Sequence, residues 1–242
     1  MSQLSSTPKR KSDAYQNVFF DLDHTLWDYE TNSAETLLEL YAGYELISKG
    51  IASKTEFLDR FRKVNFELWA LYDAGAIESS VIREERFKKI LTHFSAYDKD
   101  LSDNLSSDYL EMCPRKGNLM PHALNVLDYL GARYKLTVIT NGFEEIQQIK
   151  LMSSNILKYF DHIITSQKAG HRKPSREIFD YALRHNDIQC HQAIMIGDNL
   201  IADVGGAKAA SIDNVFYNYE KIAHSHSPDF EIGCLRELQL IL

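Results

Sequence analysis

The chain has 242 residues, 44% of them hydrophobic and 25% charged, the ordinary balance of a soluble globular protein. That length is large for one compact core and fits a core of about 150 residues with a smaller domain inserted in it. A formal net charge of −7 argues against a nucleic-acid polymer as partner, because such proteins concentrate positive charge, yet it leaves room for a small anionic substrate in a locally positive pocket.

The opening segment, MSQLSSTPKRKSDAYQN, is polar, and residues 1–14 read as a disordered lead-in. It has no apolar run of signal-peptide length, and no later segment is long and apolar enough to cross a bilayer. The expectation is a cytoplasmic protein without a membrane partner. Cys113, Cys190 and Cys234 are scattered with no ligand spacing, as reduced thiols are.

The first apolar run, NVFFDL (17–22), reads as a strand ending in acidic residues. From Asn32 to Met112 no strand is evident, and helical patterns cover 32–48, 54–73, 79–94 and 98–112. The second places Phe57, Phe61, Val64, Leu68 and Leu71 three or four residues apart, as one apolar stripe. In the third, the charged run IREERFKKI reads as a solvated helix side. Beyond residue 113 helices and strands alternate: HALNVLDYLGAR, LTVIT (136–140), EEIQQIKLMSSN, DHIITS (161–166), SREIFDYALRHN, AIMIGD (193–198), IADVGGAKAA and NVFYN (214–218). Short continuous apolar strands suit a parallel sheet covered on both faces. The fold class is therefore α/β, a doubly wound, Rossmann-like parallel-sheet core over 15–28 and 113–242. An all-helical cap domain is inserted over 29–112.

In such sheets ligands bind beyond the carboxyl ends of the strands, and four motifs fall there. Asp21 and Asp23, two apart in extended chain, project to one side. One carboxylate can attack phosphorus while the other passes a proton to the leaving oxygen; helix capping is the plainer alternative. Thr140-Asn141-Gly142 follows LTVI and offers a hydroxyl and backbone N–H groups to a phosphate, or is only a capped turn. Lys173, fixed before Pro174, can neutralise a carboxylate and a phosphoryl oxygen together, although a lone lysine is more commonly surface. Asp198 and Asp203 in GDNLIAD present hard oxygens suited to Mg2+, or cap a helix.

In that order and at those strand ends, Asp-x-Asp-x-Thr, Thr-Asn-Gly, Lys-Pro and Gly-Asp-x-x-x-x-Asp resemble the haloacid dehalogenase-like hydrolase superfamily from Asn17 onward. The resemblance implies a central strand order 5-4-1-2-3. It implies Asp21 as nucleophile, Asp23 as general acid and base, and Lys173 as the lysine that steadies an aspartyl phosphate. It also implies phosphate binding at Thr140 and Asn141, Mg2+ at Asp21, Asp198 and the backbone carbonyl of Asp23, and a supporting role for Asp203.

Asp23 and Asp198 disfavour dehalogenation, which needs neither. Sugar-phosphate mutases share all four motifs, and a broad small-molecule phosphatase or a non-catalytic binding module stay open. The stretch Val64–Ile77 with Arg86-Phe87, Leu26-Trp27-Asp28 and Gln147-Gln148 looks like the cap of a bacterial pyrimidine 5′-nucleotidase subgroup. That likeness implies a small phosphorylated metabolite, a nucleotide, as partner. Phe66, Trp69 and Tyr72 are then candidates to stack on the base; packing within the helix is the alternative. His24, inside the first motif, reads as peripheral, and His224 with His226 as a solvent loop.

Overall fold

Strands β1 (Asn17–Phe20), β2 (Lys135–Thr140), β3 (His162–Thr165), β4 (Ala193–Gly197), β5 (Asp213–Tyr217) and β6 (Phe230–Ile232) pair in parallel in the computed structural model. Their order is β3-β2-β1-β4-β5-β6, the expected arrangement with one further edge strand. That strand, FEI, has only three residues, too few to set up a period. The structure describes residues 14–242, so all of the expected lead-in except Ala14 lies outside the described residues.

The helices are α1 (Tyr29–Gly43), α2 (Lys54–Asp73), α3 (Ser79–His93), α4 (Lys99–Met112), α5 (Ala123–Gly131), α6 (Glu144–Ser153), α7 (Ser166–Ala169), α8 (Arg176–His185), α9 (Gly206–Ala209) and α10 (Leu238–Ile241). Among the described residues, no helix is long and apolar enough to cross a membrane. Helix α1 starts three residues earlier than the sequence pattern indicates because Asp28 caps it, accepting from the Thr31 N–H at 3.0 Å. It ends at Gly43, ahead of Glu45, whose φ of 49° is left-handed.

Two compact units follow from the pattern of contacts. The α/β unit comprises the chain up to Leu26, Leu119–Asn141 and Ile156–Leu242. One apolar layer of it joins Phe19, Ile139, Ile164 and Met195 of the sheet to Ile178, Phe179 and Ala182 of α8. These α8 residues recur at helical spacing, so a single stripe meets the sheet.

The helical unit comprises Trp27–Asn118 and Gly142–Asn155. It is wider than the expected 29–112, chiefly because α6 belongs to it by contact. Phe143 stacks on Trp69 at 5.5 Å, Arg83 lies 4.2 Å from the Phe143 ring and 2.5 Å from Glu145, and Lys150 lies 4.5 Å from the Trp27 ring. None of these pairings is visible in sequence spacing. The α2 stripe buries Phe57, Phe61, Val64, Leu68 and Tyr72, while Leu71 is exposed. A step of four from Leu68 reaches Tyr72, so the expected fifth member is replaced by its neighbour.

Candidate active site

The geometry begins with β1, whose four residues are buried between β2 and β4. The ladder continues one residue further, since the Asp21 N–H donates to the Ile196 carbonyl at 2.9 Å. Asp21 is thus held at the carboxyl end of a central strand by backbone geometry.

Its carboxylate accepts a hydrogen bond from Lys173 Nζ at 2.6 Å, and the same amine donates to Asp203 at 2.6 Å. Lys173 is 3% exposed. Helix α8 begins at Arg176, so the lysine sits in the loop ahead of it. Two bonds from Asn141 fix that loop. The Lys173 N–H donates to Asn141 Oδ1 at 2.8 Å, and Asn141 Nδ2 donates to the Lys173 carbonyl at 2.9 Å. The Asn141 side chain therefore clamps the backbone of the lysine. Thr140, the last residue of β2, is buried beside it.

Asp203 is fully engaged. One oxygen accepts a hydrogen bond from Lys173 Nζ and the other accepts from the Asn199 N–H at 3.0 Å. It lies in a π-helical turn, Leu200–Gly205, that Asn199 caps by accepting from Ile201 and Ala202, both at 2.9 Å. The absent side chain of Gly197 lets Asp203 approach, since a Cβ there would sit 2.2 Å from Asp203 Oδ2. Asp198 is held from the other side by the Thr25 hydroxyl, which donates to it at 3.0 Å.

One carboxylate oxygen each from Asp21, Asp198 and Asp203 lie within 4.8 Å of one another. Three acids against one buried lysine leave excess negative charge. Burial pushes Asp21 up to about 6, Lys173 opposes the rise, and Asp203 and Asp23 add to it. Burial, followed by Asp21 and Asp203, also pushes Asp198 well above the usual carboxylate range. Burial works against the charge on Lys173, but Asp203 and Asp21 outweigh it and hold the amine above its ordinary value. An all-oxygen donor set with uncompensated charge fits a small hard cation. Asp21 and Asp198 are the side chains available to hold it, because Asp203 is already bound on both oxygens. Asp23 is near enough to act on Asp21 electrostatically, yet its side chain is outside the three-acid group. That suits a contribution through its backbone carbonyl.

The other candidates belong to the helical unit, where the Trp69 and Tyr72 rings meet edge-on at 5.5 Å and Phe66 stands apart in exposure. Phe66 is 76% exposed, Trp69 is stacked on Phe143, and Tyr72 is 6% exposed within the α2 stripe. Of the smaller features, His24 has a left-handed φ of 63° and its Nδ1 lies 3.5 Å from the Tyr219 hydroxyl. His224 lies 3.3 Å from Glu231. Sequence reasoning had given no role to Thr25 or Asn199. The first was marked only as the end of Asp-x-Asp-x-Thr, and the second by its place between Gly-Asp and Asp203.

A family model described as haloacid dehalogenase-like hydrolase matches residues 15–211. The chain belongs to the haloacid dehalogenase-like hydrolase family. Among relatives of this hydrolase, pyrimidine 5′-nucleotidase YjjG of Escherichia coli (strain K12) is 26% identical over 93% of this chain and 96% of its own. Pyrimidine 5′-nucleotidase PynA of Streptococcus pneumoniae (strain ATCC BAA-255 / R6) is 28% identical over 93% of each. The crystal structure of the HAD-hydrolase YfnB from Bacillus subtilis, described as bound to magnesium, superposes on the fold with a TM-score of 0.85. It is 24% identical, over 96% of this chain and 99% of that one.

Proposed function

We propose that this hydrolase is a magnesium-dependent phosphomonoesterase that forms and hydrolyses an aspartyl phosphate on Asp21, with pyrimidine nucleoside 5′-monophosphates as substrates. The observation that carries the chemistry is the Lys173 amine, 2.6 Å from both Asp21 and Asp203 and beside Asp198. A buried carboxylate kept against a buried ammonium is an anionic nucleophile at neutral pH despite its desolvation.

In the first step an Asp21 oxygen attacks phosphorus. As the bond from phosphorus to the ester oxygen breaks, the Asp23 carboxyl gives its proton to the leaving alkoxide. In the second step a water oxygen attacks the phosphorus of the aspartyl phosphate and yields its proton to Asp23. The bond from phosphorus to Asp21 breaks, and inorganic phosphate leaves with both residues restored. Lys173 offsets the charge on Asp21 and on the transferred phosphoryl group throughout, and the Thr140 hydroxyl and turn donate to phosphoryl oxygens. Asp21, Asp198 and the Asp23 carbonyl would hold Mg2+, which when bound neutralises phosphate oxygens that three acids would otherwise repel.

Support for a nucleotide comes from two relatives named as pyrimidine 5′-nucleotidases that align over nearly the whole chain. In this reading the choice among esters lies with side chains of the helical unit. A panel of dUMP, dTMP, UMP, sugar phosphates and pyrophosphate, with and without magnesium, is expected to give magnesium-dependent release of phosphate led by the pyrimidine nucleotides. Equal rates on sugar phosphates and nucleotides would overturn the substrate class, and turnover undiminished by a chelator would overturn the metal.

A further inference from the structure

Asp23 lies in a tight turn directly beyond the nucleophile. The Leu26 N–H donates to the Leu22 carbonyl at 2.9 Å and closes that turn around Asp23, His24 and Thr25. At its middle His24 takes a left-handed φ of 63°. A residue with a Cβ holds that conformation where its surroundings impose it, and such residues gather at functional sites.

Two side chains tie the turn to neighbouring strand ends. Thr25 donates to Asp198, beyond β4, at 3.0 Å. His24 reaches Tyr219, beyond β5, with its Nδ1 3.5 Å from the tyrosine hydroxyl. With the imidazole proton on Nε2, the hydroxyl donates to Nδ1. That contact is at the long limit of a hydrogen bond, so it adds little to stability. What it can set is a direction.

Tyr219 is itself held firmly. It follows Asn218, which is buried and bonded through both its backbone and its side chain. The Asn218 N–H donates to the Ile232 carbonyl at 2.8 Å, and its side-chain amide donates to Glu231 at 2.7 Å and to the Ile222 carbonyl at 3.0 Å. Its Oδ1 accepts from the Ile222 N–H at 2.8 Å. The Tyr219 ring also leans on that of buried Tyr217, with ring centres 5.3 Å apart. These contacts fix the hydroxyl at the carboxyl edge of the sheet, the side on which ligands bind.

We infer that Tyr219 is a positioning residue for proton transfer, which holds the His24 side of the turn so that the Asp23 carboxyl faces the leaving oxygen. The inference rests on the phosphomonoesterase reading above, and every side chain it uses belongs to the α/β unit. The proton passes from Asp23 to the ester oxygen as the bond from that oxygen to phosphorus breaks, and Tyr219 keeps its own proton throughout.

The test compares phenyl phosphate with p-nitrophenyl phosphate on the full chain with magnesium. The two esters are alike in shape, but phenoxide is a strong base that needs a proton as it leaves, whereas p-nitrophenoxide departs as the anion. In this mechanism kcat/KM reports the steps up to that departure, before water attacks the aspartyl phosphate. The variants are Tyr219→Phe, His24→Asn and the two combined, with melting temperatures recorded alongside. Asparagine tolerates a left-handed backbone but falls short of the tyrosine. Tyr219→Phe is expected to lower the ratio of kcat/KM for phenyl over p-nitrophenyl phosphate about threefold to tenfold, at a melting temperature little changed. His24→Asn is expected to lower the ratio by a similar factor, and the double variant to add no further loss, because the tyrosine acts through the histidine. An unmoved ratio, equal losses on both esters, or losses that multiply in the double variant overturn the inference. The two readings fail separately. If the unsubstituted protein releases no phosphate from either ester with magnesium, the phosphomonoesterase reading falls and takes the inference with it, whereas release with an unmoved ratio overturns the inference alone.

Discussion

Lys173 of the α/β unit and Arg86 of the helical unit are almost equally buried, at 3% and 4% exposure, yet their surroundings are opposite. Lys173 has an acid on each side at 2.6 Å, and its backbone is clamped at both N–H and carbonyl by one asparagine. Arg86 has two aromatic rings and no acid partner among the described residues. A buried cation with its counter-charges in place is a finished piece of machinery, because every donor has one geometry and no alternative. The contrast sets an ion-paired amine in the α/β unit against a guanidinium seated between two rings in the helical unit.

The largest effect expected lies on the finished side. Asp21→Asn removes the attacking charge but keeps the shape, and turnover should fall about 10⁴-fold or more while circular dichroism stays that of the folded chain. Phosphate release persisting in a clean preparation would falsify the nucleophile assignment.

Next comes stability, where the two cations should differ in kind. Lys173→Met strands Asp21 and Asp203, two buried carboxylates, and is expected to lower unfolding free energy by about 3–5 kcal/mol in urea titrations. Arg86→Met strands nothing and should be neutral or stabilising in the same titration. Equal losses in the two variants would abolish the comparison. A smaller effect is expected at Asn141→Ala, which frees the loop that carries Lys173. With the amine displaced by even part of an ångström, kcat should drop about tenfold to a hundredfold with little change in KM. A change confined to KM would return Asn141 to the phosphate-binding role that its sequence motif implies.

Much of the α/β unit was legible because it obeys local rules. Continuous apolar runs named five strands, and the same runs put Asp21, Thr140 and Asp198 at strand ends. The lysine clamp was not legible, since Asn141 and Lys173 are separated by 32 positions and meet only after β2 and the following crossover have folded. Nor was the binding of α6 to the helical unit, which rests on Trp69, Phe143 and Arg83 from distant stretches. The α2 stripe was misread by one position at its end, since Leu71 was assigned to it and Tyr72 is the residue that is buried. Arg86 was hidden by its neighbours. Within IREERFKKI the charges suggested a solvated side, although the four-residue spacing from Ile82 and to Ile90 placed this one arginine inward.

The smallest effect tests whether the sheet edge is finished without its cation. Asp198 is pushed well up by burial and by Asp21 and Asp203, so its charged form is worse tolerated in the folded chain than in the unfolded one. A carboxylate with a raised folded pKa contributes stability that is complete below its unfolded value near 4, and that is lost as pH rises. Asp198→Asn keeps an oxygen for the Thr25 hydroxyl and removes the titration. In chelator at pH 7 the variant should therefore melt above the parent, and the gap should close as pH falls toward 4. Magnesium should reverse the order, because it raises the melting temperature only where the carboxylates can hold it. A variant that melts below the parent in chelator would mean that Lys173 and Thr25 already compensate all three acids, and that the site is electrostatically complete before any metal binds.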